Sequence, residues 1–381
     1  ILLIFGTVSA FWRINTGQQY WLADNAHQDA WWLGECEKVT KKVRTVLDSS
    51  SYKESSYRLE IFPSWRVGLL KLGVGACIVG SPVRYSGDAK RHNPFMDSVA
   101  CVAELVAFCP EVAIGLGVPR EPIRLVDENG EVRVKDSSSQ TQDFTLKLQN
   151  AAQSFLQRNT DLSGYILVKG SPSCGTERVK VYNEKGNVFH HKGQGGFVSE
   201  LLRIEPLLPV EDDGRLNDAR IRENFFIRAY VYRDWKILQR EELTSHRLIT
   251  FYSRYKYLVM AHDTTAYKEI GRLLADAGKV DIDVLTAQFI ELLMSAIKDP
   301  AKRSGLTNAM QHVRGYLKRT ISAIEKADVD RSIDDYRTGL VPLVVPMKML
   351  QHLFNVHPNE YIKTQVFMSP YPEELRLRNS I

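Results

Sequence analysis

Three stretches decide the fold: GLLKLGVGAC (68–77), ELVAFC (104–109) and YILVKGSPSC (165–174). Each is a short apolar run followed at once, or after a small-residue turn, by a cysteine. Apolar runs of this length bounded by Gly, Pro and Ser read as buried strands of an α/β sheet. In an open α/β sheet the carboxyl ends of the strands share one edge, where ligand sites form. Three thiols carried just beyond three strand ends therefore converge on one point although they lie far apart in the chain. Cys77, Cys109 and Cys174 would supply three soft ligands, which suits a [4Fe–4S] cluster with one iron left without a protein ligand. Spacing alone leaves another reading open, because free cysteine is commonly a buried packing residue. A structural zinc site would show close Cys-x-x-Cys pairs, and the sequence has none around these positions.

The surrounding pattern extends the same architecture. FTLKLQNAAQSFLQR (144–158) has apolar residues at three- and four-residue spacing and predicts a helix, and DENGEVRV (127–134) reads as a hairpin or a solvent loop. Cys101, in SVACVAELVAF, reads as a packing residue of a helix. After PLLPVEDDGRL (206–216) the texture becomes helical: ITFYSRYKYLVMAH (249–262), YKEIGRLLADA (267–277) and VLTAQFIELLMSAI (284–297). NAMQHVRGYLKRTISAIEKA (308–327) predicts one continuous helix with Met310, Val313, Leu317, Ile321 and Ile324 on its core face. GRLNDARIRENF (214–225) places an Asp as the N-cap of a charged helix. The fold class is thus an α/β domain with an open, largely parallel sheet over residues 67–208, followed by a mainly α-helical domain over 209–381. Residues 1–66, which hold five of the six tryptophans and Cys36, read as an extension, disordered or artefactual, outside both domains.

Composition sets the outer bounds. A hydrophobic share of 44% and a charged share of 25% are those of a globular chain, and no apolar run reaches the roughly 18–20 residues needed to span a bilayer. Five cysteines at irregular spacing read as reduced thiols of a cytoplasmic protein, not as a disulfide scaffold. A net charge of +5 permits a polyanionic partner without demanding one.

The stretches ACIVGSPVRYSGDAKRHN (76–93), FCPEVAIGLGVPREPIRLV (108–126) and ILVKGSPSCGTERVKVYNEKG (166–186) closely resemble the thiouracil desulfurase family. That resemblance implies that Cys77, Cys109 and Cys174 bind a [4Fe–4S] cluster and that its fourth iron takes sulfur from a thiolated base. Two positions depart from the family pattern: ACIVG stands where Ser-Cys-Leu-Leu-Gly is expected, and Ser86 stands where an Asp precedes the glycine. The second half, through GRLNDARIRENF, FYSRYKYLVMAH, GLVPLVVPMKML and PYPEELRLRN, resembles the YbgA-like domain, with Tyr252 and Tyr255 in place of expected histidines. Such a fusion is similar to two-domain enzymes that convert 4-thiouridine in tRNA to uridine. The implied substrate is a thiolated uracil in tRNA, or a free thiolated base or nucleotide, with a non-catalytic iron–sulfur sensor as the reading from another class.

Water that replaces sulfur needs a base, and Glu111, two residues after Cys109, is the nearest carboxylate in sequence, with Glu104 second. Ser171 and Ser173 are candidates to orient that water or to cap the turn at Pro172. For phosphate contact the candidates are Arg84, Lys90 and Arg91 after Cys77, Arg120 and Arg124 after Cys109, and Arg314, Lys318 and Arg319 beside His312 and Tyr316 in the helical domain. HHKGQGGF (190–197) is glycine-rich ahead of a helix and reads either as an anion cradle or as a tight turn.

Overall fold

A computed structural model describes residues 69–91 and 93–381, so the expectations for residues 1–66 and Cys36 lie outside the described residues. The strands are β1 (Leu70–Gly75), β2 (Ala103–Phe108), β3 (Ile123–Glu128), β4 (Glu131–Asp136), β5 (Gly164–Leu167), β6 (Val179–Tyr182), β7 (Val188–Gly193) and β8 (Val210–Asp212). Interleaved with them are α1 (Pro94–Ala100), α2 (Pro110–Ala113), α3 (Thr145–Arg158) and α4 (Gly196–Ile204). The helical half comprises α5 (Ala219–Leu238), α6 (Ser245–His262), α7 (Thr264–Ala275), α8 (Ile282–Ala296), α9 (Arg303–Arg314), α10 (Ala323–Thr338), α11 (Val344–Val356) and α12 (Glu360–Lys363).

The first sheet has strand order β2-β1-β5-β8 with every pair parallel. Its centre is near-continuously apolar, as a sheet covered on both faces requires: Leu70, Leu72 and Val74 of β1 and Tyr165, Ile166 and Leu167 of β5 are fully buried. Gly73 lacks a side chain for a packing reason, because a Cβ there would stand 2.4 Å from the Tyr165 ring. That ring joins Phe155 of α3, Phe197 of α4 and, through those two, Phe108 of β2 in one aromatic cluster with centroids 4.8–6.0 Å apart. β8 lies beyond the expected boundary at residue 208, so the sheet is completed by the segment that leads into the helical half. The second sheet, β4-β3-β6-β7, is mixed, and of it the sequence reading held only the β3–β4 hairpin. Its turn places Asn129 and Gly130 at φ 56° and 87°, the left-handed pair that a tight two-residue hairpin demands.

Helix α5 begins where Asp218 accepts the N–H groups of Arg220 and Ile221, and its Phe226 meets Phe95 of α1 edge-on at 5.8 Å. Residues 308–327 are not one helix. α9 stops at Arg314, a short 3-10 turn spans Gly315–Leu317, and α10 starts after Ser322. Glycine weakens the helix at 315, and Ser322 with Glu325 forms a capping box that fixes a new start. The apolar stripe follows that break: Met310, Val313 and Leu317 are buried, whereas Ile324 is 76% exposed. No helix among the described residues is long and apolar enough to cross a membrane.

Candidate functional site

The carboxyl ends of the three adjacent strands β2, β1 and β5 each hand the chain to a cysteine. β1 runs into a 3-10 turn that contains Cys77, β2 ends one residue before Cys109 at the N-cap of α2, and β5 leads through Val168–Ser173 to Cys174. Cys77, Cys109 and Cys174 are the free cysteines among the described residues. All three line one cavity of about 220 Å³, together with Val83, Arg84, Tyr85, Glu111, Arg120, Lys169, Ser171 and Ser173. Cys101 is elsewhere, partly buried against the core at the C-cap of α1.

Each cysteine loop is held by backbone bonds. The Lys90 N–H donates to the Cys77 carbonyl at 2.9 Å, and the Lys90 ammonium pairs with Asp213 beyond β8. Ser171 Oγ accepts the N–H groups of Ser173 (3.3 Å) and Cys174 (3.1 Å), a side-chain turn around Pro172. HHKGQGGF completes this loop and does not cradle an anion. The N–H groups of Gly195, Gly196 and Phe197 donate to the carbonyls of Gly175, Pro172 and Ser173 at 2.9, 2.9 and 3.2 Å. Gly195 must lack a Cβ, which would stand 2.5 Å from the Ser173 carbonyl.

Burial pushes all three thiols up. The Cys77 thiol rises to about 11 by burial and the nearby Cys109, Cys109 rises by burial, and Cys174 rises well above its ordinary value by burial and the neighbouring Glu111. Thiols that resist ionisation in this way, Cys77 and Cys174 buried and Cys109 half-buried, become stable thiolates only with positive charge among them.

Glu111 is the carboxylate of the cavity. Its Oε1 accepts the Ser173 hydroxyl at 2.6 Å, and its Oε2 accepts Arg120 Nε at 2.8 Å and Nη2 at 2.7 Å. Ser173 is fully buried and lies 3.0 Å from Ser171 Oγ and 3.6 Å from Cys174 Sγ. Arg120 also donates to the Val83 carbonyl (2.9 Å) and the Gly117 carbonyl (3.1 Å), so one guanidinium ties the loop after Cys77 to the loop after Cys109. With its side chain 6% exposed, it faces Glu111 and not solvent.

The remaining candidates separate by position. Glu104 is exposed on β2, within the stretch ELVAFC that reads as a strand, and it does not line the cavity. Arg84 lines the cavity and pairs with Asp88, which also accepts the Ser86 hydroxyl at 2.6 Å. Arg91 is exposed and does not line the cavity. Arg124 stacks over the Tyr182 ring in the second sheet. Arg314 is turned inward onto Asp330, leaving Lys318 and Arg319 as the exposed cations of that cluster. Tyr255 is buried with its hydroxyl donating to the buried Asp234, and Tyr252 is buried with its hydroxyl on the Tyr267 carbonyl, so both belong to the helical core. Sequence reasoning missed Tyr85 and Lys169. Their signal was available, since each sits in a loop that leaves a strand end beside a cysteine.

Comparison with known proteins adds the following. Residues 72–213 match the family model described as 2-thiouracil desulfurase, and residues 256–372 match a protein family of unknown function, DUF1722. The chain is similar to the uncharacterized protein YbgA of Escherichia coli (strain K12), 27% identical over 166 residues that make up 43% of this chain and 98% of that one. It is also similar to the uncharacterized protein YbbK of Bacillus subtilis (strain 168), 28% identical over 151 residues, 38% of this chain and 97% of that one. Among solved structures, the [4Fe-4S]-dependent thiouracil desulfidase TudS is 30% identical over 39% of this chain and 94% of its own, with a TM-score of 0.33.

Proposed function

We propose that this chain, which joins a 2-thiouracil desulfurase domain to a DUF1722 domain, is a [4Fe–4S]-dependent desulfidase that exchanges the sulfur of a thiolated uracil for oxygen, with 4-thiouridine in tRNA as its substrate. One observation carries the reading: three free thiols from three adjacent strand ends line the same cavity as a part-buried Glu111–Ser173 pair.

The residues present fit the cluster. Among the described residues, no three His, Cys, Asp or Glu side chains crowd closely enough to hold a single metal ion. Soft donors spread around a cavity instead suit a group of several atoms. A second feature agrees. The Tyr165 hydroxyl is completely buried, has no hydrogen-bond partner among the described residues, and is raised well above its ordinary value by burial and then by Cys174, Cys109 and Cys77. An orphaned buried donor beside three thiols is costly unless an acceptor occupies the space between them. Cys77, Cys109 and Cys174 would hold the cluster, which when bound supplies a soft Lewis-acidic iron for a thiocarbonyl sulfur.

The chain's own groups manage the water. Arg120 holds Glu111 Oε2 from one side, which aims Oε1 at the cavity through Ser173. Water entering beside Ser171 and Ser173 would give a proton to Ser173 Oγ as that hydroxyl passes its own to Glu111 Oε1, and its oxygen would add at the thiocarbonyl carbon; the C–S bond then breaks, and sulfur leaves at the sulfide level with the proton returned from Glu111 and the second proton of the water, so that a carbonyl remains with no change of oxidation state. The exposed Lys318 and Arg319 in the helical half supply phosphate contacts to the folded RNA.

The test is anaerobic reconstitution followed by a desulfuration assay on thiolated tRNA and on the free nucleoside. Ser at Cys77, Cys109 or Cys174 should remove the broad iron–sulfur absorbance, whereas Cys101→Ser should keep it. Glu111→Gln should keep the absorbance and lose on the order of 100-fold in rate. Equal cluster loss in Cys101→Ser, or near-normal turnover in Glu111→Gln, would refute the corresponding assignment. Joint charge reversal at Lys318 and Arg319 should weaken tRNA binding; unchanged affinity and salt dependence would remove the helical half from RNA recognition.

A further inference from the structure

Three thiols keep one spacing only if the three loops that carry them are tied to one another. Arg120 joins the Cys77 loop to the Cys109 loop, through the Val83 carbonyl and Glu111. The Ser173 hydroxyl on Glu111 joins the Cys109 loop to the Cys174 loop. The third side of this triangle, between the Cys77 and Cys174 loops, is closed by Asp213. Its Oδ1 accepts the Lys169 N–H at 3.1 Å, on the way to Cys174, and its Oδ2 pairs with the Lys90 ammonium. Lys90 in turn donates its own N–H to the Cys77 carbonyl at 2.9 Å. A carboxylate suits this place because it offers one oxygen to each loop at once. The Lys90–Asp213 pair is largely shielded, with side chains 28% and 16% exposed, so water competes little for either partner.

Asp213 belongs to none of the three loops. It follows β8, which pairs with β5 through Ile166–Glu211 and Leu167–Asp212, and its N–H donates to the Leu167 carbonyl at 2.8 Å. The main chain is therefore fixed before the side chain acts. Its neighbours grip the chain beyond Cys174. The buried Asp212 accepts the Thr176 N–H at 3.1 Å, and Arg215 donates to Glu177 at 3.1 Å and to Glu211 at 2.7 Å. Gly214, between them, leaves room for the Lys169 stem, since a Cβ there would stand 3.0 Å from Lys169 Cδ. A few residues on, Asp218 donates its N–H to the Arg215 carbonyl at 3.0 Å and caps α5. The third tie is thus carried by the segment that opens the helical half, and hydrogen bonds lead from it into α5.

We infer that Asp213 is a positioning residue of the cluster site: it holds the Cys77 and Cys174 loops at the separation the three thiols need, and so makes the start of the helical half a working part of that site. The inference rests on the desulfidase reading for what the thiols hold, not for the tie itself.

Hydrogen–deuterium exchange of the full chain without cluster reads the tie, and chelator-driven iron release from the reconstituted protein reads its consequence. Asp213→Ala should speed exchange at least about tenfold in residues 76–91 and in 168–178, the change expected when a charge-assisted hydrogen bond is taken from a loop that opens locally. Asp213→Asn keeps one acceptor, for the Lys169 N–H, so it should loosen 76–91 alone, and Lys90→Met should do the same. None of these variants should speed exchange in 103–114, which holds β2 and the Cys109 turn. Asp161→Asn breaks an ion pair with Lys71 at the opposite end of the same sheet and should alter none of these segments. Iron release should be about 10–100-fold faster in Asp213→Ala than in wild type, and unchanged in Asp161→Asn. Equal acceleration in all three segments would mean fold-wide loosening and overturns the proposal, as does iron release at the wild-type rate in Asp213→Ala. Where Asp213→Ala does not fold, Lys90→Met decides, and wild-type exchange in 76–91 refutes the tie. A wild-type protein that takes up no iron, with the exchange pattern intact, sinks the desulfidase reading while Asp213 still positions the two cysteine loops.

Discussion

Replacing Arg120 by Met tests the organisation of the cavity most directly. The substitution conserves an unbranched stem and removes the guanidinium that bonds Glu111 Oε2 twice and reaches the carbonyls of Val83 and Gly117. Removing one partner of a buried ion pair costs about 3–5 kcal/mol, because the other charge is left uncompensated. Glu111 is 14% exposed and keeps the Ser173 hydroxyl on Oε1, so water and one hydrogen bond relieve part of that penalty. The expected loss is therefore near the lower limit, about 3 kcal/mol. If the carboxylate charge is the cause, Arg120→Met combined with Glu111→Gln should be less destabilised than the sum of the two single changes, with a coupling of at least about 1.5 kcal/mol. Urea unfolding of the four proteins of the cycle gives this number. Turnover supplies a second reading: Arg120→Met should depress kcat far more than it raises KM, because the base is misaimed while the cavity mouth is intact. The reasoning fails if Arg120→Met lies within about 0.5 kcal/mol of wild type and adds simply to Glu111→Gln. If it instead weakens tRNA binding in a salt-dependent way at unchanged kcat, Arg120 is a phosphate contact.

Gly195→Ala should destabilise the protein by about 1–3 kcal/mol and impair cluster loading, since the new methyl overlaps backbone atoms of Ser173 and Cys174 although φ −62° and ψ 141° suit alanine; Gly271→Ala, with open space around it, should be neutral or stabilising by thermal unfolding, and equal effects at the two sites would refute the steric argument. Tyr165→Phe should stabilise the cluster-free protein by up to about 1–3 kcal/mol by removing an unpaired buried hydroxyl, yet loosen the loaded cluster measured by chelator-driven iron release; stabilisation of both forms would show that the hydroxyl faces no acceptor. Burial raises Asp136, but N–H and hydroxyl bonds from Gln142, Ser139 and Gln140 outweigh it and hold the carboxyl below its ordinary value of 3.8. A depressed folded value means stability that is complete above about pH 4 and lost as pH falls towards the folded value. Asp136→Asn should therefore flatten the acid limb of the stability profile, and an unaltered limb would assign it to other carboxyls.

What the sequence disclosed and what it withheld follow from the range of the interactions involved. The three strand ends were legible because an apolar run and its terminating cysteine are contiguous, and a parallel sheet brings such ends to one edge by topology alone. α3 and the Asn129–Gly130 turn were legible for the same reason, since their signals are complete within a few residues. The continuous helix over 308–327 was an error of weighting: helical period was counted across Gly315 and the Ser322–Glu325 capping box, two local signals that outrank one exposed isoleucine. The partnership of Arg120 was hidden in another way. Its charge suggested a phosphate, but its environment depends on Glu111 nine residues earlier and on Val83 in a different loop, contacts that exist only after the three strand ends have assembled. HHKGQGGF was equally ambiguous, because a glycine-rich helix start offers the same N–H groups to an anion or to a neighbouring loop, and only the proximity of Ser173 decides between them. Cations are therefore the residue class whose role sequence places least well here. Of those that looked available for phosphate, Arg84, Lys90, Arg120 and Arg314 are each paired with a carboxylate, while Lys169, which reads from sequence as the end of a strand, lines the cavity and makes no ion pair among the described residues.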